Sequence, residues 1–456
     1  MGLLDTIQVG RRGLAAASAG IDVTAQNIAN VGTTGYSRRK LVQTTTDPIQ
    51  RRGLWMGTGV QAASVSRATD RLLGVRLVAS AGVAAQASSL HETLAIAEGQ
   101  LGDTGSTTLS DANDAFWDSM SQLTTNPSDL TASRTTIQAA GDLASTISRI
   151  ATGLSATMTS VEDGLTTRLE LANAKIAEIG TLNKAIGRSS DETGPADLLD
   201  RRDQLVRELG ETVGATVDLQ ADGQATVFIG GHAVVNGTSA RSLTLGTASD
   251  GSPEISVGSM HVTNDVGGEL GGVLTAHATI SGWIDELDQF TTTFATAVNA
   301  AHAAGFDATG AAGGDLFSFD PTSPGASITV STALEDPSLL AVAGAATAAP
   351  GDGDNLASML TLESSAIFSS STRTAGQALS DFSSGVGSDV SAAGGDADVL
   401  DAQLSDAEAQ RNALASVDTD EEAIRLVEYQ TAYKAAARVL SVGDEMLRTL
   451  LQTVGG

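Results

Sequence analysis

The chain has 456 residues, 41% hydrophobic but only 3% aromatic, a formal charge of −28 and no cysteine. That length allows about two to four compact units, with cores built mainly of Ala, Val, Leu and Ile, which suit close helix packing more than a roomy cofactor cavity. Nucleic acid or membrane binding would need a strongly basic patch, and only Arg11-Arg12, Arg38-Arg39-Lys40 and Arg51-Arg52 cluster; without cysteine there are no disulfides or thiolate metal sites.

At the N-terminus Ile7, Leu14, Ile21 and Ile28 recur every seven residues. Leu3, Gly10, Ala17, Thr24 and Val31 form a second, smaller column between them. This heptad pattern predicts a seam-bearing helix. "MGLLDT" also fits the short myristoylation pattern, although an ordinary helix start explains it. The segment lacks the basic start and continuous apolar stretch of a cleaved signal, and no later run approaches the roughly 20 apolar residues of a membrane span. Any export is therefore expected without a cleaved signal, and no membrane insertion is expected. The repeat breaks in "NIANVGTTGYSRRK", residues 27 to 40.

Residues 67–100, 110–124 and 129–186 read as helix, the last entered after Asn126-Pro127-Ser128. "GPADLLDRRDQLVRELGETVG" is an amphipathic helix entered at Pro195 and closed by Gly210 or Gly214. Across 215–263 β-branched and polar residues alternate, with Asp222-Gly223 and Asn236-Gly237 at turn positions, so hairpins are expected. Helix returns from Leu270 to Ala304, a Gly-, Ala- and Ser-rich strand-and-loop stretch runs to 353, and a helical block covers 354–416.

The C-terminus bears a second seam: Leu426, Tyr429, Tyr433, Ala436, Leu440, Gly443, Leu447, Leu450 and Val454 alternate steps of three and four. Val427, Val439, Val442, Met446 and Leu451 lie off it. A helix apolar over so wide an arc wants more than one partner. An ordinary hairpin inside a globular core competes with that reading; exposed apolar surface would mark an interface instead. The expected fold is mainly α with a β insertion, elongated and multi-domain. Residues 1–36 with 418–456 form a terminal coiled-coil domain, 37–213 with 264–305 and 350–417 a helical-bundle body, and 214–263 with 306–349 a small β-rich outer domain.

Sites for chemistry are sparse. The five histidines, His91, His232, His261, His277 and His302, show no H-E-x-x-H or helical i, i+4 pair. There is no G-x-S-x-G elbow and no Walker loop. Asp352-Gly353-Asp354-Asn355 and Asp396-Ala397-Asp398 could converge on calcium but lack the closing glutamate of an EF-hand, so polar turns explain them. Asn236-Gly237-Thr238 fits both a glycosylation sequon and a hairpin turn. Glu421-Glu422 fits the start of a helix, where negative charge is favoured. No catalytic, metal or cofactor residue is expected, and the chain is not expected to be an enzyme.

"ANVGTTGYSRR", Ala29 to Arg39, resembles the N-terminal signature of the axial proteins of the bacterial flagellum, the rod, hook and hook-associated proteins; Ala29, Asn30, Thr33, Gly35 and Tyr36 match it. Gly32 stands where Asn is common, and Thr34 where Pro is common. "DEEAIRLVEYQTAYKAAARVLSVGDEMLRTLL" resembles the C-terminal signature of the same group, with Gly443 where Ala is frequent. That glycine alone would weaken the helix by about 1 kcal/mol. "DLLDRRDQLVRELGETVGATV" and "GELGGVLTAHATISGWIDELDQFTTTFATAVNAAHAAGFDATG" look like segments of the hook-associated family that joins hook to filament.

The resemblance implies a structural role: subunits stacked in a tube, terminal helices lining its inner wall, the body around them and the β part outside. Implied partners are other copies of the chain, the hook protein, a second junction protein, the filament cap and flagellin, an export chaperone and the type III export apparatus. The implied location is the extracellular flagellum. The expected assembly interface is Ile7, Leu14, Ile21, Ile28, Asn30, Gly35, Tyr36, Arg38, Arg39, Tyr429, Tyr433, Leu440, Leu447 and Leu450. Asn30 to Tyr36 then reads as a hinge-like exit from the tubular helix, with Gly32 and Gly35 permitting the turn. The basic residues beyond it either stay solvated or face a neighbouring copy's carboxylates, such as Asp418 to Glu422. A hook or distal-rod protein is the alternative, with a more β-dominated middle. A peptidoglycan hydrolase would need an acid in a sugar cleft with aromatic platforms, whereas Trp55, Trp117 and Trp283 are widely separated; an adhesin would rest on the β tip alone.

Overall fold

The structure is a computed structural model that describes residues 3–51, 53–102, 108–188, 195–220, 222–368 and 370–454; Gly2, and with it the myristoylation pattern's acceptor, lies outside them. Its first helix, α1 (Leu3–Ala29), leads through a turn into β1 (Arg39–Thr45), β2 (Ile49–Arg51), β3 (Leu54–Met56) and β4 (Val60–Arg67). These strands were expected to be part of the helical body. Instead β1 pairs antiparallel with β4 and β2 with β3, making an arm that leans on α1. Arg12 fastens it by donating from Nη1 to Thr46 Oγ1 and to the Thr58 carbonyl, both at 3.0 Å.

Helices α2 (Arg71–Glu98), α3 (Leu109–Thr124), α4 (Leu130–Ile186) and α5 (Ala196–Val213) follow. Each start has a local cause. Asp70 and Asp129 cap α2 and α4, Thr108 and Asp111 form a capping box on α3, and Pro195 precedes α5. Gly214, not Gly210, closes α5, in the left-handed region at φ 66°. At 1.5 Å per residue the 57-residue α4 is about 85 Å long, the strut of the molecule.

The β insertion comprises β5 (Thr216–Leu219), β6 (Ala225–Ile229), β7 (His232–Asn236), β8 (Ser239–Ala240), β9 (Leu243–Thr247), β10 (Pro253–Val257) and β11 (Met260–His261). They form a four-stranded antiparallel sheet, β5-β6-β7-β8, and a three-stranded one, β11-β10-β9. Asp222-Gly223 and Asn236-Gly237 occupy turns as expected, with Gly223 and Gly237 at positive φ. Next come α6 (Gly268–Ala303), β12 (Phe317–Ser318), α7 (Pro324–Ser327), β13 (Thr329–Val330), α8 (Asp354–Ser364), α9 (Ala375–Ala415) and α10 (Thr419–Val454). The expected block 354–416 is thus interrupted at 365–374, where Phe368 bridges Arg373 and a Thr374–Gln377 capping box restarts the helix.

Two hydrophobic clusters divide the body along α4. The first packs its N-terminal half, with Leu143, Ile147 and Leu154, against Phe116 and Trp117 of α3, Phe290 and Phe294 of α6, and α8 and α9. The second packs Leu165, Leu169 and Ile176 of α4 with Leu205 and Leu209 of α5 and the sheet residues Val227, Ile229 and Ile255. Residues 306–349 were expected beside the sheets. Their apolar side chains, Leu316, Phe317, Ile328, Leu334 and Leu340, fill the first cluster instead. Phe317 explains the choice: its ring lies 5.8 Å from Phe294 and 6.0 Å from Phe116, tilted ring contacts that the aliphatic second cluster cannot offer. Helix α2 is long and apolar enough to cross a membrane, contrary to the sequence expectation, but it packs against α5, α6 and α9.

Candidate assembly interface

Helices α1 and α10 pair along their length. Small residues of α1 make the closest approach: Gly10, Ala17 and Thr24 of the smaller column, and Gly20 beside it, are buried, whereas Ile7, Leu14, Ile21 and Ile28 are only half-buried. The reason is steric, since small residues let the helix axes close up and the larger column stands at the edge of the contact. On α10, Tyr429, Leu440 and Leu447 are half-buried, while Tyr433 is 38% and Leu450 54% exposed. Gly443 does more here than weaken a helix. A Cβ on it would stand 2.8 Å from Ile7 Cγ1, so the glycine is the socket for Ile7.

At the exit from α1 the chain turns through Asn30–Tyr36. Gly35 takes φ +82°, but Gly32 shows no positive φ, so only Gly35 supplies the glycine conformation expected of both. Tyr36 swings back to donate its hydroxyl to Asn27 Oδ1 at 2.8 Å. Asn27 is fully buried and saturated. Its Oδ1 also accepts from Arg39 N, and its Nδ2 donates to the Arg39 carbonyl and to Glu422 Oε2, each at 2.9 Å. One side chain therefore joins α1, the exit turn, β1 and α10.

The basic residues after the turn find their partners within the same chain, which corrects both expectations for them. Arg38 donates from Nε to Glu422 Oε1 at 2.8 Å and from Nη2 to Glu421, while its backbone N–H donates to Ala415 O at 2.9 Å. Glu421 and Glu422 lie in the first turn of α10, as expected, and Glu422, 1% exposed, is in addition a buried counter-ion; Asp418 caps the helix, accepting from Asp420 N at 2.9 Å. Burial opposes the charge on Arg38, and its bonds to Glu422 and Glu421 outweigh that, holding its pKa above the ordinary arginine value. Arg39 pairs with Asp197 at the start of α5, donates to Gln26 Oε1 at 2.9 Å and lies 5.0 Å from the centre of the Tyr36 ring. Burial raises the Tyr36 hydroxyl pKa against the pull of Arg39.

Arg67, at the end of β4, completes the joint by donating from Nη1 to Asp200 Oδ1 at 2.7 Å and Asp203 Oδ2 at 2.9 Å. Sequence reasoning missed Asn27, Arg67, Glu422's burial and the acidic row Asp197, Asp200, Asp203. The three-residue spacing of that row on one helix face was the available signal. The arrangement is mechanical: terminal pair, arm and body meet in one joint, where Arg38, Arg39 and Arg67 face Glu421, Glu422, Asp197, Asp200 and Asp203.

The remaining chemical candidates are occupied locally. Asp352 accepts from Gly344 N at 2.7 Å and Asp354 N at 3.0 Å, making a polar turn. Trp117 and Trp283 are buried in the aromatic cluster, with indole N–H groups donating to Asn113 and Asp389 at 3.1 Å. His302 is buried between Gly314 O and Ala341 N. Among the described residues no group of three His, Asp or Glu is placed to hold a metal ion.

Residues 94–317 match the helical domain of the flagellar hook-associated protein FlgK, residues 7–36 the flagella basal body rod protein family, and residues 414–453 the C-terminal family of the flagellar basal body rod FlgEFG proteins. The chain is 25% identical to flagellar hook-associated protein 1 of Bacillus subtilis, with 98% of each covered. It is 28% identical to the Escherichia coli protein of that name, over 67% of this chain and 58% of that one. In fold it is similar to the flagellar hook junction protein FlgK from Burkholderia pseudomallei, at TM-score 0.65 and 16% identity, covering 74% of this chain and 99% of that one.

Proposed function

The chain belongs to the flagellar hook-associated protein 1 family, and on that premise we propose how its parts divide the work of joining hook to filament. It is a structural component of the bacterial flagellum, and its family is that of the hook–filament junction. Copies stack into a tubular layer in which α1 and α10 line the inner wall, the helical body surrounds them and the β5–β11 sheets lie outside. One face of the layer receives the hook protein, the other the second junction protein and then the filament cap and flagellin. A chaperone and the type III apparatus export the chain without a cleaved signal, and its role outside the cell needs no catalysis.

A second apolar face on α10 carries this reading. The seam side of the helix meets α1, yet Ile424, Val427, Val442 and Met446 are 63%, 61%, 49% and 51% exposed on the other side. At 100° per residue these four fall within one arc of the helix, so they form a stripe rather than scattered exceptions. Neighbouring copies would remove that stripe from water, a gain of about 25 cal/mol per Å² of apolar surface.

The test is to delete residues 441–456 and supply the shortened chain to cells lacking the full one. The body should keep its circular dichroism and melting temperature while incorporation into flagella is lost. Truncated chain found in the junction at the full-length level would overturn the reading.

A further inference from the structure

The arm carries an apolar knob that the rest of the chain leaves bare. Trp55 is 69% exposed and Leu54 70%, whereas Trp117 and Trp283 are 2% and 5%. Within the hairpin Ile49 pairs with Met56 and Gln50 with Trp55. Because strand side chains alternate faces, Trp55 points to the opposite side from Ile49 and Met56, which line a crevice of about 420 Å³ against Asp5, Gln8 and Val9 of α1. Trp55 therefore faces away from its own terminal helix. The arm behind it is held by the β1–β4 ladder, the two Arg12 bonds and the Thr46–Thr58 hydroxyl contact at 2.6 Å. A large aromatic side chain on a pre-positioned arm, bare in the single chain, has the form of an interface anchor.

We propose that Trp55 of one copy docks on the outer stripe of α10 of a second copy, over Val442 and Met446. The inference rests on the tubular self-assembly proposed above and adds a contact made outside the helix seam. Two observations select this occupant. Among the described residues of α10, Ile424, Val427, Val442 and Met446 form an exposed apolar stripe on the side away from α1. The arm is also continuous with the α1–α10 pair, so assembly that brings terminal helices together brings knob and stripe to the same layer. Met446 is suited to the contact, because a thioether at an indole edge is favourable and adapts to the ring.

The full-length chain is assembled in vitro, and indole quenching by acrylamide is compared in monomer and assembly. In the monomer one of the three tryptophans should be quenched readily; in the assembly that accessible fraction should disappear. Trp55→Ala should raise the critical concentration about tenfold, the size expected for losing one anchor, with unchanged circular dichroism in the monomer. Gln50→Cys in one preparation and Met446→Cys in another, mixed and treated with a mild added oxidant that takes up the two thiol electrons, should give a mixed disulfide dimer in the assembly and none in the diluted monomers. Assemblies in which Trp55 stays fully quenchable, with no 50–446 cross-link, would overturn the docking while leaving tubular self-assembly intact. A chain that does not assemble at any concentration would overturn both.

Discussion

Gly20 of α1 lies directly against the ring of Tyr429 on α10: a Cβ built on the glycine would stand 2.5 Å from both Cδ1 and Cε1. A stiff ring cannot yield as a flexible chain end can, so this contact fixes how closely the two ends of the chain approach. It also separates packing from propensity. Ala at position 20 would favour the helix by about 1 kcal/mol over Gly, whereas overpacking commonly costs about 1–3 kcal/mol.

Gly20→Ala should therefore loosen the terminal pair despite improving the isolated helix. We expect faster hydrogen exchange in α1 and α10 with no change in the body. Restored protection in the double variant Gly20→Ala/Tyr429→Leu would identify the ring as the cause, and slower exchange in Gly20→Ala alone would show that propensity wins.

Gly443 gives an independent instance of the same balance. Its Cβ position is 2.8 Å from Ile7 Cγ1, so Gly443→Ala should destabilise the pair by about 1 kcal/mol net. Ile7→Ala should recover part of that loss in the double variant. Additive effects of the two substitutions in a double-mutant cycle would show that the side chains do not meet.

Glu422 and Glu421 are neighbours in sequence with different predicted consequences. Glu422→Ala leaves one N–H of the buried Asn27 amide and Arg38 Nε without an acceptor, a loss of about 3 kcal/mol. Glu421 is 55% exposed at its side chain, so Glu421→Ala should cost less than about 1 kcal/mol. Hydrogen exchange over residues 419–430 measures both; equal effects would contradict the buried joint.

Acid should weaken the loop that follows α6. Burial depresses the pKa of His302 below its ordinary value, opposed by the Gly314 carbonyl and Asp315. The geometry fits a neutral ring: Nδ1–H donates to Gly314 O at 2.7 Å, and Nε2 accepts from Ala341 N at 3.0 Å. Because the folded value is the lower one, the stabilisation is complete above the unfolded value near 6.5 and is lost as pH falls toward the folded value. His302→Gln should be less stable at pH 7.5 and should lose less between pH 7 and pH 5, as read by urea unfolding. An equal pH slope in the two proteins would sink the assignment.

Helix starts and the heptad columns were legible because their causes are local: a capping side chain, a proline, a repeat of seven. The arm was not, since Arg39–Thr45 buries only Arg39 and Leu41 and its strands depend on α1 through Arg12. Nor could spacing reveal the partner of Arg38, which lies 384 positions away at Glu422. Basic residues beside an exit turn pair equally well, on composition, with a neighbouring copy or with the chain's own far end; only the closure of α10 on α1 decides it. The aromatic assignment of 306–349 likewise followed from Phe317 meeting Phe116 and Phe294, a contact among three distant segments.

The junction role itself is tested most directly by what cells lacking this chain build. They should assemble complete hooks that carry no filament, with unpolymerised flagellin released into the medium. Cells without hooks, or cells with normal filaments, would contradict the account.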